Sequence, residues 1–276
     1  MPNTTAQQFT ALVLAGDRGS TDPLLAHSHA CCKAMIEIDG VPMVLRVLSA
    51  LAEADCIHAR LLSGPKQEQL LIEPTVRDLI ESGSIDWCEP RSTPSTSASH
   101  AMTQIDSNTP VLITTADHPL LSARIIDHFC QDSIASDADV TVGLAPHRLV
   151  YEAFPGMKKT VLRFSDAHYC GCNLFACLTP RARRIADYWR QVENDRKNPL
   201  KMIRLLGWGA VINYLLGRLT LDAALEQLSR KFDLRIRAII LPYAEAAVDV
   251  DSVRDHYIVQ EKLTRPPKEH TKQERP

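Results

Sequence analysis

Five short apolar runs, each stopping at a glycine, an acidic residue or a proline, recur through the first 146 residues: FTALVLAG at 9–16, ARLLSG at 59–64, SIDWCEP at 84–90, PVLITTAD at 110–117 and DVTVGLAP at 139–146. Runs of this length and composition are strands buried on both faces. Segments of helical period separate them. Pro42 opens one in which Met43, Val44, Val47, Leu48 and Leu51 share a face, and SARIIDHFCQDSIA places Ile125, Ile126, Phe129 and Cys130 on another. QLLIEPTVRDLIESG supplies a third helical face, and the serines of RSTPSTSASHAMTQI are placed to cap a fourth. Strands that alternate with helices bury their apolar runs in a mostly parallel sheet covered on both faces, and such sheets bind ligands at the carboxyl ends of their strands.

Past residue 180 the alternation breaks down. Residues 180–232 read as almost wholly helical, an insertion or subdomain packed on the sheet, before a strand LRIRAIILP and the segment AAVDVDSVRDHYIVQEKL. The expected organisation is a flexible N-terminus over 1–8, one domain over 9–263 that includes the helical insertion, and a disordered tail over 264–276, where TRPPKEHTKQERP is charged and aperiodic. With 45% hydrophobic residues the chain has ample material for a core. Thirty-one basic against thirty-three acidic residues give a formal charge of -2, which leaves no basic excess for nucleic acid, so any bound anion is held locally. The eight cysteines lack Cys-x-x-Cys zinc spacing and read as reduced thiols. The polar start MPNTTAQQFT and the lack of any long apolar run point to a cytoplasmic protein.

The chemistry concentrates where the first and fourth runs end. In LAGDRGSTDPLL, Gly16 and Gly19 bracket Asp17 and Arg18, and Lys33 follows 14 residues after Gly19. A glycine loop after a strand lets backbone N–H groups approach an anion while Arg and Lys add charge, so phosphate is the natural ligand. The spacing is neither the dinucleotide fingerprint nor a P-loop. Asp117 stands on the same rim. One carboxylate beside a phosphate loop suits Mg²⁺, which keeps several waters and takes one or two protein carboxylates plus phosphate oxygens. The DVD at 249–251 offers the second, through Asp251 or Asp249. An isolated Asp at a strand end is ordinarily a cap or turn residue. His118 reads as a packing or rim hydrogen-bond residue, and Cys31 and Cys32 as packing beside the loop.

Taken in order, LVLAGDRG, KAMIEIDGVPMVLRVL, TTADHPLL, GCNLFA and AVDVDSVRD resemble the nucleotidyltransferases similar to molybdenum-cofactor guanylyltransferase and to sugar-phosphate cytidylyl- and uridylyltransferases. The resemblance covers roughly residues 9–263. It implies a three-layer α/β/α sandwich with a mostly parallel, mixed twisted sheet of Rossmann-like type, which transfers a nucleotidyl group from a nucleoside triphosphate to a small phosphorylated acceptor with Mg²⁺ and releases pyrophosphate. Carried over residue by residue, Ala15, Gly16, Asp17, Arg18 and Gly19 would hold the triphosphate, and Lys33 would neutralise its charge during transfer. Asp117 and Asp251 would ligate the metal, with Asp249 as alternate, and Thr115 would contact the nucleotide. Ser97 and Ser99 would face base and ribose, and Asn173 the acceptor. The sequence departs from the family where STDPLL replaces the usual Arg-Met of the loop, where LAHSHACC lengthens the path to Lys33, and where Ala34 replaces the usual proline.

Two other readings stay open on the residues. A glycosyltransferase of related architecture would place an Asp-x-Asp at the end of a middle strand, where this chain has TADHP; a nucleotide-binding module without turnover fits the altered loop. The basic helical stretch adds Arg196 and Lys197, just before Asn198-Pro199, as acceptor-phosphate residues, while WGAVINYLLGRL suits weak association with a membrane surface. A homodimer completes the expected partners.

Overall fold

A computed structural model describes residues 8–17, 23–70, 72–195 and 208–264. Its strands are Phe9–Leu14 (β1), Glu37–Ile38 (β2), Val41–Pro42 (β3), Ile57–Ser63 (β4), Asp86–Cys88 (β5), Val111–Thr115 (β6), Val140–Pro146 (β7), Val161–Arg163 (β8), His168–Cys177 (β9) and Ile236–Ile240 (β10). The helices are Pro23–Ser28 (α1), Met43–Glu53 (α2), Gln67–Leu70 (α3), Pro74–Glu81 (α4), Pro94–Met102 (α5), Ala123–Ala135 (α6), His147–Ala153 (α7), Ile185–Asp195 (α8), Trp208–Leu215 (α9), Leu221–Phe232 (α10) and Val253–Thr264 (α11). Arg18, Gly19, Arg196 and Lys197 lie outside the described residues, as do nearly all of both expected terminal segments.

Every residue of β1 is buried, which is why its sequence carries no polar alternation, and it takes a central place in the sheet. The order is β10-β7-β9-β6-β1-β4-β5, with β8 on β9. β1 pairs in parallel with β4 and β6, β4 with β5, and β10 with β7. β9 alone runs against β6, β7 and β8, so the sheet is mixed. One face carries α2 and α6, whose Val44, Val47, Leu48, Leu51, Ile125, Ile126 and Phe129 close on Ala11, Val13 and Leu112. The other carries α5, α8 and α10, with Ala98, Ala101, Ala186, Leu225 and Phe232 against Leu12, Val111 and Ile113. At about 1.5–3 kcal/mol for each large apolar side chain removed from water, these two layers are the main source of stability. The described helices α8 and α10 within the expected stretch 180–232 therefore contribute a layer of the sandwich itself.

A third cluster, Leu24, Ile36, Ile38, Met43, Phe154, Val248, Val250 and Val259, sits at the carboxyl end of the sheet. It fixes the segment after β10. Val248 and Val250 are fully buried, so in extended backbone Asp249 and Asp251 project the other way. Asp39 and Gly40 both have positive φ, the backbone of a tight turn between β2 and β3. Thr93, not a serine, caps α5: its hydroxyl accepts from the Thr96 amide while Thr96 reaches back to the Thr93 amide.

Candidate active site

The parallel register sets Leu14 beside Thr115, so the loop after β1 and the residues after β6 leave the sheet side by side, and the Ala116 amide donates to the Leu14 carbonyl. Gly64, at the end of β4, closes the other flank. Its φ is +88°, and a side chain there would stand 3.0 Å from the Ala15–Gly16 peptide, so only glycine lets the two loops approach. The resulting cleft of about 580 Å³ is lined by Ala15, Gly16, Asp17, Lys33, Thr115, Asp117, Asn173, Asp249 and Asp251, by Arg91–Pro94 and Ser97, and by Leu14, Ile113, Phe175 and Trp189.

Lys33 is its electrostatic centre. Its Nζ donates to Asp117 Oδ2 and to Asp251 Oδ1, each at 2.5 Å. The Lys33 and Asp117 side chains are 20% exposed, whereas Asp251 is 67% exposed. Burial alone would lower the ammonium pKa, but the two carboxylates outweigh it and hold Lys33 above the ordinary lysine range. Burial would likewise raise Asp117, and Lys33 reverses that to leave it below the usual carboxylate range. The Asp117–Asp251 segment pairing is fixed in the backbone, where the Val250 amide donates to the Asp117 carbonyl.

Asp117 Oδ1 is buried without a hydrogen-bond partner. A buried carboxylate oxygen in that condition is costly unless a cation or donor reaches it. Together with Asp251, it makes a two-carboxylate donor set of hard oxygens facing a cleft, which fits Mg²⁺ and leaves coordination positions for phosphate oxygens and water. Among the described residues no group of three or more His, Cys, Asp or Glu forms a denser metal site.

Asp249 is differently engaged. It forms an ion pair with Lys159, whose side chain is 12% exposed, and its Oδ2 accepts from Asn173 Nδ2 at 3.1 Å. Both oxygens are thus used within the protein, which separates Asp249 from the Asp117–Asp251 pair. Burial pushes Lys159 below the ordinary lysine range in spite of the nearby carboxylates of Asp255, Asp251 and Asp117. Asn173 reaches Asp249 because β9 bulges there: Val142 faces Phe175 but Leu144 faces Gly171, and Asn173 takes a φ of 48°. Opposite the bulge stands Gly143, where an added Cβ would come within 3.1 Å of Leu174.

Ser97 lines the cleft, but its hydroxyl accepts from the Arg91 amide at 2.8 Å and so shapes the loop before α5. Ser99 does not line it; it borders a separate surface pocket with Arg183 and Asp187. His118 is buried, and burial drops its pKa to about 4. Neutral at pH 7, it donates through Nε2 to the Glu245 carbonyl and pins the turn over 244–247. Cys32 is buried beside Lys33, and burial first, then the neighbouring Cys31, raises its thiol to about 12, consistent with packing. Lys159, Arg91, Phe175 and Trp189 escape a reading of the sequence. Lys159 is one of a Lys-Lys pair with no motif around it, and the other three come from elements whose approach to the cleft is set only by tertiary packing.

Comparison with known proteins gives a concordant picture. A family model described as MobA-like NTP transferase domain matches residues 11–236. A hypothetical transferase from Thermus thermophilus superposes with a TM-score of 0.76 at 27% identity, over 90% of this chain and 99% of its own. CMP:2-keto-3-deoxy-manno-octonic acid synthetase complexed with CTP gives a TM-score of 0.57 at 12% identity, over 93% and 98% of the two chains. A 4-diphosphocytidyl-2C-methyl-D-erythritol synthase from Anaerococcus prevotii gives 0.55 at 13%, over 94% and 97%. At those identities the last two show the fold. No curated protein sequence matches the chain.

Proposed function

The chain belongs to the MobA-like NTP transferase domain family, and from that premise we propose that it transfers the nucleotidyl group of CTP or UTP to a small phosphorylated acceptor in the presence of Mg²⁺, releasing pyrophosphate. The acceptor is a sugar, polyol or alcohol phosphate. One observation carries the reading: Lys33 bridges Asp117 and Asp251 at 2.5 Å each, at the carboxyl ends of β1 and β6 where the loop of Ala15–Asp17 emerges.

In this reaction an acceptor phosphate oxygen attacks the α-phosphorus in line, a P–O bond forms to the acceptor, and the bond to pyrophosphate breaks. The phosphate nucleophile is already ionised near neutral pH, so the site has no need of a general base, and the neutral, buried His118 is not asked to be one. What the site must supply is alignment of two anions and stabilisation of the charge that accumulates on pyrophosphate. Held by Asp117 and Asp251, Mg²⁺ would screen the phosphate oxygens against one another. Lys33, whose ammonium stays charged throughout the physiological range, exchanges its carboxylate partners for phosphate oxygens and meets the leaving group. Gly16 and Asp17 line the cleft at the end of β1, where their amides would meet the triphosphate, whereas the Ala15 amide already donates to the Ser63 carbonyl; Arg91 lines the cleft from the loop before α5. Asn173, oriented by Asp249, stands on the acceptor side.

The test is pyrophosphate release with CTP, UTP, GTP and ATP against a panel of sugar, polyol and alcohol phosphates, with Mg²⁺ and with EDTA. CTP leads the panel because one fold relative is complexed with it. Release that depends on both an acceptor and Mg²⁺ is expected. Turnover of a nucleotide-sugar with no pyrophosphate formed would replace the proposal with glycosyl transfer.

A further inference from the structure

The cleft is lined by two kinds of side chain: Lys33, Asp117, Asp249, Asp251 and Asn173 are charged or polar, whereas Leu14, Ile113, Phe175 and Trp189 are apolar. Phe175 follows Asn173 by two residues in β9 and sits opposite Ile113 in β6, so the exposed aromatic surface begins beside Asn173, the residue that the proposed function gives to the acceptor. Beyond the bulge its neighbours Leu174 and Ala176 are fully buried on the far face, while Phe175 itself is 39% exposed. A phenyl ring left half-open on the floor of a polar cleft costs free energy that a ligand can recover.

Trp189 completes this surface. Its ring stacks on Phe175 with centroids 6.4 Å apart and planes at 30°. That is the spacing of a direct aromatic pair, so the two rings form one continuous wall with no slot between them. The wall is held firmly. Tyr188, adjacent on α8, stacks on Phe232 of α10 with centroids 4.3 Å apart. One turn beyond Trp189, Glu193 accepts from the Ser95 hydroxyl at 2.5 Å and from the Ser95 amide at 3.3 Å, which ties α8 to the first turn of α5. The α8 helix thus presents Trp189 to the cleft while its neighbours anchor it on both sides.

We infer that the Phe175–Trp189 wall is a specificity element that selects acceptors whose organic part is a ring presenting an apolar face, and disfavours open-chain phosphates. The inference rests on the nucleotidyl-transfer reading for the placement of the acceptor phosphate beside Lys33 and Asn173. An aromatic wall stacks on a flat C–H or aryl face and gains little from a hydrated acyclic chain. Sugar rings and aryl groups share that chemistry, and the probes below separate them.

The experiment measures, by calorimetry with the full chain and Mg²⁺, the binding of glucose 1-phosphate, phenyl phosphate, glycerol 3-phosphate and CTP to the wild type, Phe175→Ala and Trp189→Leu, alongside pyrophosphate release from CTP. At least one ring phosphate is expected to bind about tenfold more tightly than glycerol 3-phosphate. Each variant should erase most of that difference and leave CTP affinity unchanged, and Trp189→Phe should restore it. Preference for glucose 1-phosphate identifies a sugar face, preference for phenyl phosphate an aryl face. Equal binding of ring and open-chain phosphates, no binding of any, or a ring preference that survives both variants overturns the inference. A ring phosphate that binds through the wall without releasing pyrophosphate from any triphosphate would instead overturn nucleotidyl transfer while sustaining the wall.

Discussion

Replacing Lys33 by Met separates the two roles that the cleft gives this residue. In the ligand-free protein the ammonium is the shared partner of Asp117 and Asp251, each 2.5 Å away. Stripping one member from a fully buried pair costs about 3–5 kcal/mol, whereas an exposed pair is worth about 0–1 kcal/mol. Asp117, 20% exposed with its Oδ1 unpartnered, lies between the two cases, and Asp251, 67% exposed, belongs to the second. A loss of roughly 2–3 kcal/mol follows, which for a chain of this size lowers Tm by about 4–12 °C. The metal should oppose that loss. Because ammonium and Mg²⁺ compete for the same pair of carboxylates, the variant should bind Mg²⁺ more tightly than the wild type and regain more Tm for each increment of Mg²⁺. Activity should not recover with it. Lys33 is asked to stabilise charge as pyrophosphate leaves, so kcat should fall by about a hundredfold or more, on the order of 3 kcal/mol, at saturating Mg²⁺ and triphosphate. Differential scanning fluorimetry across a Mg²⁺ titration and steady-state pyrophosphate release measure the two effects. A Mg²⁺ response no larger than wild type would refute the shared-carboxylate argument, and a variant altered only in triphosphate KM would refute the role in transfer.

Other substitutions address single contacts. Asp117→Asn should keep the fold, seen as an unchanged far-ultraviolet spectrum, but nearly abolish turnover, because the amide preserves shape and loses the charge; wild-type rates at saturating Mg²⁺ would remove Asp117 from the metal site. Gly64→Ala forces a side chain into a φ of +88° and against the Ala15–Gly16 peptide, and should cost about 1–3 kcal/mol in urea unfolding while weakening triphosphate binding. Asp139, 6% exposed, accepts from the Arg235 amide at 2.8 Å and from the Thr179 hydroxyl at 2.9 Å. Burial would raise its pKa, but these donors depress it below the ordinary carboxylate value. Its contribution is therefore complete above that ordinary value and is lost as pH falls through the lower, folded one. Asp139→Ala should cost about 2–3 kcal/mol at pH 7, and the gap from wild type should narrow only below about pH 4; a gap that stays constant to pH 3 would show that the carboxylate charge contributes nothing.

The parts of the fold that were legible from sequence are those whose side chains answer to a single period. The runs that become β1, β6 and β7 are apolar because both faces are covered, and α2 and α6 carry the spacing of a helix packed on one side. With β1 and β6 parallel, the placement of the glycine loop and Asp117 on one rim follows at once. β9 obeys no such period. Cys172, Asn173 and Leu174 form a bulge in which three residues answer Gly143 on β7, so apolar alternation is interrupted where the strand brings Asn173 to the cleft. Helical geometry also explains the serines: residues two apart on α5 point to different sides, so Ser97 and Ser99 cannot both face the cleft. Lys159 was invisible for another reason. Its partner Asp249 lies 90 residues away, and no local pattern encodes that meeting.

The two aspartates of the DVD motif illustrate how a two-residue spacing divides labour. Val248 and Val250 turn inward, so both carboxylates must emerge on the cleft side, about one strand repeat apart. What differs is the cation each one meets. Asp249 faces Lys159, a buried ammonium whose departure would leave a carboxylate stranded with only Asn173, so this pair stays intact and Asp249 acts as a fixed orienter of the Asn173 amide. Asp251 faces Lys33 from an exposed position and shares it with Asp117. There the ammonium can be exchanged at low cost, because solvent reaches Asp251 and Mg²⁺ can take up the oxygens Lys33 leaves. In the proposed reaction the closed pair would position the acceptor side, where the bulge in β9 draws Asn173 to Asp249, and the exchangeable one would prepare the phosphate side. Lys33 thus balances only one of the two charges on Asp117 and Asp251 before any substrate arrives, which leaves room for a cation, and substrate binding in the proposed reaction becomes an exchange of partners at Lys33.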